Sequence, residues 1–203
     1  MKLYNTRVAP NPRRVRIFLA EKGLSVPTVE VDLGRMEHKA PDYVAVNPLQ
    51  RTPALALDDG TVITESIAIC RYFEELHPEP PLFGTTPLER ATVEMWQRRI
   101  EFGLLGPVAA AVRHLHPAMA QMEVPQVAAW GESNKPKVLE FIAFLDRHLA
   151  DRPFVCGERL TVSDITGLVA IDFMKPARVV LPDEAANVRR WHGELAARPS
   201  AGA

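Results

Sequence analysis

The sequence predicts an α+β protein of two domains, and three observations support this prediction. The first 76 residues contain strand-like and helix-like stretches in the order βαβ-ββα. A short proline-rich stretch, residues 77–81 (HPEPP), is typical of a linker. Beyond residue 87, the apolar side chains recur at helical spacing. We therefore expect one domain at residues 1–76, a linker at 77–86 and an all-α domain at 87–203.

The first domain is expected to begin with a short strand at residues 2–4, followed by a helix. Asn11 is a suitable N-cap and Pro12 a suitable first helical residue. The helix is therefore predicted from Pro12 to about residue 22, where Gly23 can end it. Residues 27–33 (PTVEVDL) alternate apolar and polar side chains, which is typical of a strand.

A hairpin and a helix are predicted to complete this domain. Residues 54–57 and 61–63 are short strand-like stretches, and residues 58–60 (DDG) between them suit a hairpin turn. Residues 65–76 then carry apolar side chains at helical spacing.

Two capping boxes mark helix starts in the second domain. Thr86 and Glu89 form the first, which opens a helix predicted to end near residue 113. Thr161 and Asp164 form the second, which opens an apolar helix that ends near residue 173. The remaining helices are predicted at residues 123–150, where Pro136 is expected to mark a kink or a restart of the helix, and around residues 188–195.

Composition and charge limit the possible partners of the chain. Its 203 residues carry a formal net charge of -1, which gives no reason to expect a nucleic acid or an anionic membrane as partner. The apolar runs are too short to span a bilayer. The first residues show no signal-peptide pattern, which predicts a cytoplasmic protein. The two cysteines form no CxxC pair and the histidines no HExxH motif, so no metal site is predicted.

The most informative motif comprises residues 47–55 (NPLQRTPAL) and 64–67 (TESI). Because X-Pro bonds adopt the cis form at modest energetic cost, Thr52-Pro53 is predicted to be cis, which would expose the backbone of Thr52 to a peptide ligand. Ser66 is expected to begin a helix, where unpaired N–H groups favour a carboxylate. Taken singly, these residues also fit an edge-strand proline, a solvated glutamate and an N-cap serine.

In this order and spacing, the two stretches resemble the glutathione-binding signature of the cytosolic glutathione S-transferases. Residues 157–165 (GERLTVSDI) are similar to a capping box in that family's helical core, and residues 198–200 (RPS) to its closing motif. The resemblance therefore covers essentially residues 1–200. It implies a thioredoxin-like first domain followed by a helical bundle. It also implies glutathione as co-substrate without a metal, a small electrophile as second substrate, and a homodimer.

The resemblance assigns glutathione-binding roles to several residues. Glu65 and Ser66 match the residues that hold the γ-glutamyl ammonium and carboxylate groups. Thr52, which precedes Pro53, would pair its backbone with the cysteinyl backbone, as in strand addition. Further contacts are implied for Gln50 and Arg51 at polar ligand groups, and for His38 or its neighbour Lys39 at the glycyl carboxylate. His38 and Lys39 also fit a solvated polar turn.

Thiol activation cannot follow the family's usual route through a Tyr, Ser or Cys at the first helix. Residues 4–14 (YNTRVAPNPRR) contain no Ser or Cys, and Tyr4 is expected within the first strand. The segment is similar to that of a fungal and bacterial theta-like branch, in which the helix start and a held water activate the thiol near a histidine of the helical domain. The candidates are the N–H groups at the helix start, Asn11 itself, Thr6, and His114 or His116.

Each of these candidates also has a purely structural interpretation. Asn11 fits an N-cap, Thr6 a loop hydroxyl, and His114 or His116 a charge partner of a helix end. The predicted function is conjugation of glutathione to a small apolar electrophile. Expected lining residues for that electrophile are Leu104, Leu105, Val108, Met119 and Met122. The alternatives are a non-catalytic binding or regulatory module and a glutathione-dependent disulfide or peroxide reductase.

Overall fold

The computed structural model describes all residues 1–203, which divide into two compact units. The first unit comprises residues 1–82 and 199–203, and the second comprises residues 83–198. The predicted linker at 77–86 thus spans the division between the units. The elements of the first unit are β1 (Lys2–Asn5), α1 (Pro10–Glu21), β2 (Thr28–Glu30), α2 (Pro41–Val46), β3 (Ala54–Ala56), β4 (Val62–Thr64) and α3 (Ser66–Leu76).

The strands of the first unit form one mixed sheet in the order β2-β1-β3-β4. β1 pairs parallel to β2 and antiparallel to β3, and β4 pairs antiparallel to β3. The buried core of this unit includes Leu3 and Leu55 from the sheet and Phe18 and Ile69 from α1 and α3. This architecture confirms the predicted thioredoxin-like βαβ-ββα fold.

Helix α1 begins two residues earlier than predicted. Pro10 occupies the first helical position and Ala9 is the N-cap, without a side-chain hydrogen bond. The prediction of Asn11 as N-cap was wrong, because Pro10 suits the first turn as well as Pro12 does. Helix α2 was not predicted, since its six residues are too few to show a helical period.

The segment after α3 is held against the first unit by the buried side chain of Lys22. Its Nζ donates to the carbonyl oxygens of His77 at 2.7 Å and Pro80 at 2.6 Å. It also lies 2.6 Å from Oε2 of Glu74 on α3. Oε1 of Glu74 in turn accepts from the N–H of Leu82 at 3.0 Å. This short proline-rich stretch is therefore fixed along its length up to the division between the units.

The second unit is all-helical, as predicted. Its helices are α4 (Pro87–Ile100), α5 (Gly106–Leu115), α6 (Ala128–His148), α7 (Val162–Asp172) and α8 (Ala186–Ala196). No helix combines the length and the apolar composition that crossing a membrane requires.

A π-helical segment, Glu101–Leu105, interrupts the helix that was predicted to continue from residue 87 to 113. Pro107 cannot donate a hydrogen bond, which favours a change of register one turn before it. At Gly103 a Cβ would lie 2.3 Å from Cδ2 of Phe141, so α6 approaches the π-helical segment at a position where a side chain would clash.

The predicted start of the next helix near 123 was also wrong: Pro125 disfavours helix in the preceding residue, and α6 begins at Ala128.

Both predicted capping boxes are present. At the start of α4, Glu89 N–H donates to Oγ1 of Thr86 at 3.2 Å, and Thr86 N–H donates to Oε2 of Glu89 at 3.3 Å. At the start of α7, the N–H and the hydroxyl of Thr161 both donate to Oδ2 of Asp164 at 2.9 Å. The first box is exposed, whereas Asp164 is completely buried.

Candidate functional site

The strand register brings several of the predicted binding residues to one end of the sheet. Tyr4 in β1 and Thr64 in β4 both pair with Ala54 in β3. Consequently Thr6 follows the last residue of β1, Thr52 precedes β3 and Glu65 follows β4 at the same sheet end. These three residues are far apart in sequence, and the antiparallel pairing of β3 places them together.

The Thr52-Pro53 peptide bond is cis, which confirms the prediction. The turn before it is organised by Asn47, whose side chain is buried. Nδ2 of Asn47 donates to the carbonyl oxygen of Arg51 at 2.7 Å, and its Oδ1 accepts from the N–H of Leu49 at 3.1 Å. Tyr43 donates from its hydroxyl to the same Arg51 oxygen. The approach to Thr52 is therefore fixed by two buried side chains.

The hydroxyl of Thr6 is committed within the first unit. Oγ1 of Thr6 donates its single proton to the carbonyl oxygen of Val31 at 2.9 Å and accepts from Oγ1 of Thr52 at 3.1 Å. A hydroxyl has one proton, so this arrangement gives Thr6 no further donor. Its contribution in this geometry is to hold the side chain of Thr52.

Glu65 and Ser66 lie at the start of α3. Ser66 is the first residue of α3 and is buried. The N-cap position of α3 is therefore Glu65 and not Ser66. The Glu65 backbone has φ 66° and ψ 118°, a conformation that non-glycine residues rarely adopt. Such outliers concentrate at functional sites. The helix start directs N–H groups and a partial positive charge toward the end of the sheet, which suits a carboxylate.

His38 is buried in a positively charged environment. Its exposed fraction is 3%, and its Nδ1 is buried without a hydrogen-bond partner. Burial lowers the pKa of His38 below its ordinary value of 6.5, and the charges of Lys39 and Arg51 lower it further. The ring is therefore neutral at pH 7 beside two cations, and this combination suits a ligand carboxylate.

The lowered pKa of His38 predicts how stability depends on pH. The unfolded chain protonates this histidine near pH 6.5, whereas the folded chain resists protonation. The contribution of neutral His38 to the free energy of unfolding is therefore complete above pH 6.5. It is lost as the pH falls through the lower pKa that His38 has in the folded chain. We expect the melting temperature of the wild type, relative to His38→Gln, to fall between about pH 7.5 and about pH 5. A wild type that gains relative stability on acidification would contradict the assignment.

Among the backbone N–H groups at the start of α1, that of Asn11 remains for a ligand. Pro10 and Pro12 have no N–H, and the N–H of Arg13 donates to the carbonyl oxygen of Ala9 at 3.3 Å. The predicted set of N–H groups at this helix start is thus reduced to that of Asn11. Oδ1 of Asn11 accepts from Nη2 of Arg14 at 2.9 Å, which leaves both Nδ2 protons for another acceptor.

The two candidate histidines of the helical unit differ in their surroundings. Nδ1 of His114 accepts from the N–H of Val127 at 3.0 Å, and its Nε2 lies 3.8 Å from Oε1 of Glu123. Nδ1 of His116 accepts from the N–H of Ala118 at 3.2 Å, which makes His116 the cap of a short 3-10 turn. Of the two, only His114 has a carboxylate within ion-pair distance, so His114 is the better candidate for a chemical role.

Neither cysteine is suited to nucleophilic chemistry. Complete burial raises the pKa of Cys70 to about 12. Burial also raises the pKa of Cys156 to about 11, and its Sγ lies 4.0 Å from Oγ of Ser163. Because the thiolate is the nucleophile, both side chains are unreactive at neutral pH. No group of three or more His, Cys, Asp or Glu side chains is arranged to hold a metal ion.

Sequence reasoning missed the supporting residues of the site. Tyr43 and Glu123 carried no signal of their own, because their contacts with Arg51 and His114 depend on the folded loops. Asn47 did carry a signal, since an Asn at the start of a turn commonly accepts from the N–H two residues later, as it does from Leu49.

Comparisons with known proteins give the family of the chain. Residues 8–76 match the family model "Glutathione S-transferase, N-terminal domain", and residues 108–199 match "Glutathione S-transferase, C-terminal domain". The chain is 37% identical to "Glutathione S-transferase 2" of Saccharomyces cerevisiae, over 98% of this chain and 87% of that protein.

Two solved structures are also similar along their whole length. One is a glutathione S-transferase domain-containing protein of Marinobacter aquaeolei VT8, with a TM-score of 0.95 and 39% identity over 98% of this chain and 99% of that chain. The other is Gtt2 of Saccharomyces cerevisiae, with a TM-score of 0.94 and 36% identity over 100% of this chain and 99% of that chain. The chain therefore belongs to the cytosolic glutathione S-transferase superfamily, near these fungal and bacterial members, and is a glutathione transferase.

Proposed function

We propose that the protein conjugates glutathione to a small apolar electrophile, with the glutathione thiolate as nucleophile. The observation that carries this proposal is the gathering of Thr52, Glu65 and the first loop at one end of the sheet by the register of β1, β3 and β4. An extended peptide can pair there with the backbone of Thr52 and meet an acidic side chain and a helix start next to it.

The chemistry of the surrounding residues matches the groups of glutathione. The Glu65 carboxylate would bind the γ-glutamyl ammonium group, and the Ser66 hydroxyl with the start of α3 would bind the γ-glutamyl carboxylate. The glycyl carboxylate would lie near His38 and the cations beside it. The residues proposed to contact glutathione are His38, Lys39, Gln50, Arg51, Thr52, Pro53, Glu65 and Ser66.

Loss of the Glu65 charge tests the binding assignment. A charge-assisted hydrogen bond contributes on the order of 1.5–3 kcal/mol, so Glu65→Gln should weaken glutathione binding by roughly tenfold or more. Calorimetric titration with glutathione measures this change. The matched control is Glu75→Gln, which removes an exposed carboxylate from the far end of α3 and should leave the dissociation constant unchanged. Equal affinities for Glu65→Gln and the wild type would show that the ligand is oriented differently.

Thiol activation is proposed to use Asn11. Free cysteine thiols have a pKa near ~8.5, so a donor must stabilise the anion for reaction at neutral pH. The backbone N–H of Asn11, its Nδ2 protons and the positive end of α1 can provide this stabilisation. His114 is proposed as a further contributor from the helical unit.

The experiment that tests the function is a titration of the ultraviolet absorbance of bound glutathione thiolate. We expect the wild type to lower the thiol pKa, and Asn11→Ala, which retains the backbone N–H, to raise it again by roughly one unit. A wild type that binds glutathione without lowering its thiol pKa and without turnover of a generic electrophile would favour a binding module instead.

The second substrate is proposed to be apolar. Met119 and Met122 are half-buried and remain candidate lining residues, whereas Leu104, Leu105 and Val108 are buried in the helical core.

We further propose a cytoplasmic homodimer, because dimers with twofold symmetry are the commonest assembly of soluble proteins. Light scattering at micromolar concentration that gives the mass of one chain would contradict the dimer.

A further inference from the structure

The loop between β1 and α1, residues 6–9, is bound at its start by a side chain of α1. Nη1 of Arg16 donates to Oδ1 of Asn5 at 2.7 Å and to the carbonyl oxygen of Thr6 at 3.3 Å. Nη2 of Arg16 donates to the carbonyl oxygen of Arg7 at 3.1 Å. A guanidinium carries several N–H donors in one plane, so a single side chain can bind three consecutive residues. Arg16 therefore fixes the end of β1 and the first half of the loop to α1.

Glu30 of β2 binds the same part of the chain from the neighbouring strand. The parallel register pairs Asn5 with Glu30, which brings the two side chains together. Oε2 of Glu30 accepts from Nδ2 of Asn5 at 2.7 Å, and its Oε1 accepts from the N–H of Arg7 at 2.6 Å. The Asn5 residue is buried, and its amide is bonded to Arg16 through the oxygen and to Glu30 through the nitrogen. We call Asn5, Arg16 and Glu30 the loop clamp.

The loop clamp connects two parts of the candidate glutathione site within the first unit. It holds the backbone of Thr6, whose Oγ1 accepts from Oγ1 of Thr52 at 3.1 Å. It is also anchored to α1, and the first turn of α1 contains Asn11. Thr52 is proposed to bind the cysteinyl backbone of glutathione, and Asn11 is proposed to stabilise its sulfur. The distance between Thr52 and Asn11 must therefore fit one cysteine residue, and a misplacement of about 1 Å can lower a rate about 100-fold.

We propose that the loop clamp positions the cysteinyl residue of glutathione, because it fixes Thr52, through Thr6, relative to Asn11. Its three members are positioning residues, since none of them is proposed to contact the ligand. This inference rests on the proposed function. Without the clamp, Glu65 and Ser66 can still bind glutathione, but the thiol is less well aligned with the donors of Asn11. Thiol activation should therefore depend on the clamp more strongly than glutathione binding does.

The structural part of this inference can be tested without glutathione. Glu30→Ala removes two acceptors of the clamp from a strand that is remote in sequence from Thr52 and Asn11. Two-dimensional ¹H–¹⁵N spectra of the free protein should show shifted amide signals for both Thr52 and Asn11. Unchanged signals for these two residues would overturn the inference, whether or not the proposed function holds.

The functional part is tested with Arg16→Met, which keeps the length of the side chain but removes all its donors. We expect the thiol pKa of bound glutathione to rise by about one unit and kcat to fall about tenfold, the range of one hydrogen bond. The dissociation constant of glutathione should change by less than about threefold. Ultraviolet titration and calorimetry measure these quantities. A variant that weakens binding but keeps the wild-type thiol pKa would overturn the inference.

The matched control is Arg189→Met in the helical unit. Arg189 of α8 also holds a loop, because its Nε donates to the carbonyl oxygen of Pro182 at 2.9 Å and its Nη2 to that of Leu181 at 2.6 Å. We expect Arg189→Met to lower the stability of the protein without changing the thiol pKa of bound glutathione. Equal rises in that pKa for Arg189→Met and Arg16→Met would mean that Arg16 contributes only general stability.

A double variant tests whether the members of the clamp act together. Glu30 is exposed, so water can replace its acceptors, and Glu30→Ala should raise the thiol pKa by only about half a unit. Arg16→Met/Glu30→Ala should raise it no further than Arg16→Met alone, because both side chains act on the same residues. A sum of the two separate shifts would overturn the clamp. A wild type that does not lower the thiol pKa would instead refute the proposed function, and the spectra would still decide whether the clamp fixes Thr52 relative to Asn11.

Discussion

Replacing Lys22 with methionine is expected to lower the free energy of unfolding by about 3–5 kcal/mol, the range measured when one partner of a buried ion pair is removed. The Lys22 side chain is completely buried, and its Nζ lies 2.6 Å from Oε2 of Glu74. Methionine has a similar length but no charge, so Glu74 would lose this cation. The carbonyl oxygens of His77 and Pro80 would lose their buried donor as well.

Two further variants separate the loss of the ion pair from the loss of the side chain. In Lys22→Met/Glu74→Gln both charges are absent, and Oε1 of the new glutamine can still accept from Leu82. We therefore expect the double variant to be more stable than Lys22→Met alone. Lys135→Met removes the cation of an exposed pair with Glu132 and should cost less than about 1 kcal/mol.

Chemical denaturation measures these stabilities, and limited proteolysis reports the local effect. Loss of the Lys22 contacts should make the segment after α3 the first site of cleavage, because Nζ holds that segment at two carbonyl oxygens. If the free energy of unfolding of Lys22→Met lay within about 1 kcal/mol of the wild-type value, the buried pair would have no net role in fixing this segment.

The sequence was sufficient to predict the order of the strands and the longer helices, because each of them carries a local signal, whereas the six-residue helix α2 does not. The turn at residues 58–60 marked the β3–β4 hairpin, and Thr161 with Asp164 marked the start of α7. The start of α1 was ambiguous, since Pro10 and Pro12 both suit the first turn of a helix. The π-helical segment was not predicted, because Pro107 disturbs the helix one turn after it without determining how the backbone adjusts there.

Similar limits apply to the candidate site. The Thr52-Pro53 bond and the start of α3 were predicted from a contiguous motif, and the structure has a cis bond and a helix start there. Details that depend on contacts across the fold were not predictable. Thr6 was considered as a thiol donor, and only the folded chain shows that its proton is bonded to Val31.

Removal of the Asp164 side chain is expected to destabilise the helical unit by about 4 kcal/mol or more, because each buried donor left unpaired costs about 1–3 kcal/mol. Oδ1 of Asp164 accepts from the N–H of Val155 at 2.8 Å and from Nε1 of Trp191 at 3.0 Å. Oδ2 accepts from the N–H and the hydroxyl of Thr161, both at 2.9 Å. Asp164 thus joins the segment before α7, the start of α7 and α8, and Asp164→Ala would leave all these donors without it.

Asp164→Asn keeps the test decisive if the alanine variant fails to fold. One amide oxygen can replace only one of the two carboxylate oxygens. We therefore expect the free energy of unfolding of Asp164→Asn to lie between those of the wild type and Asp164→Ala. The matched control is Glu89→Ala in the exposed capping box of α4, where water can solvate the released N–H groups and the loss should be much smaller. Denaturant titration followed by circular dichroism and by tryptophan fluorescence measures all three variants. If Asp164→Ala and Glu89→Ala cost the same, the buried contacts with Val155 and Trp191 would add nothing to a simple helix cap.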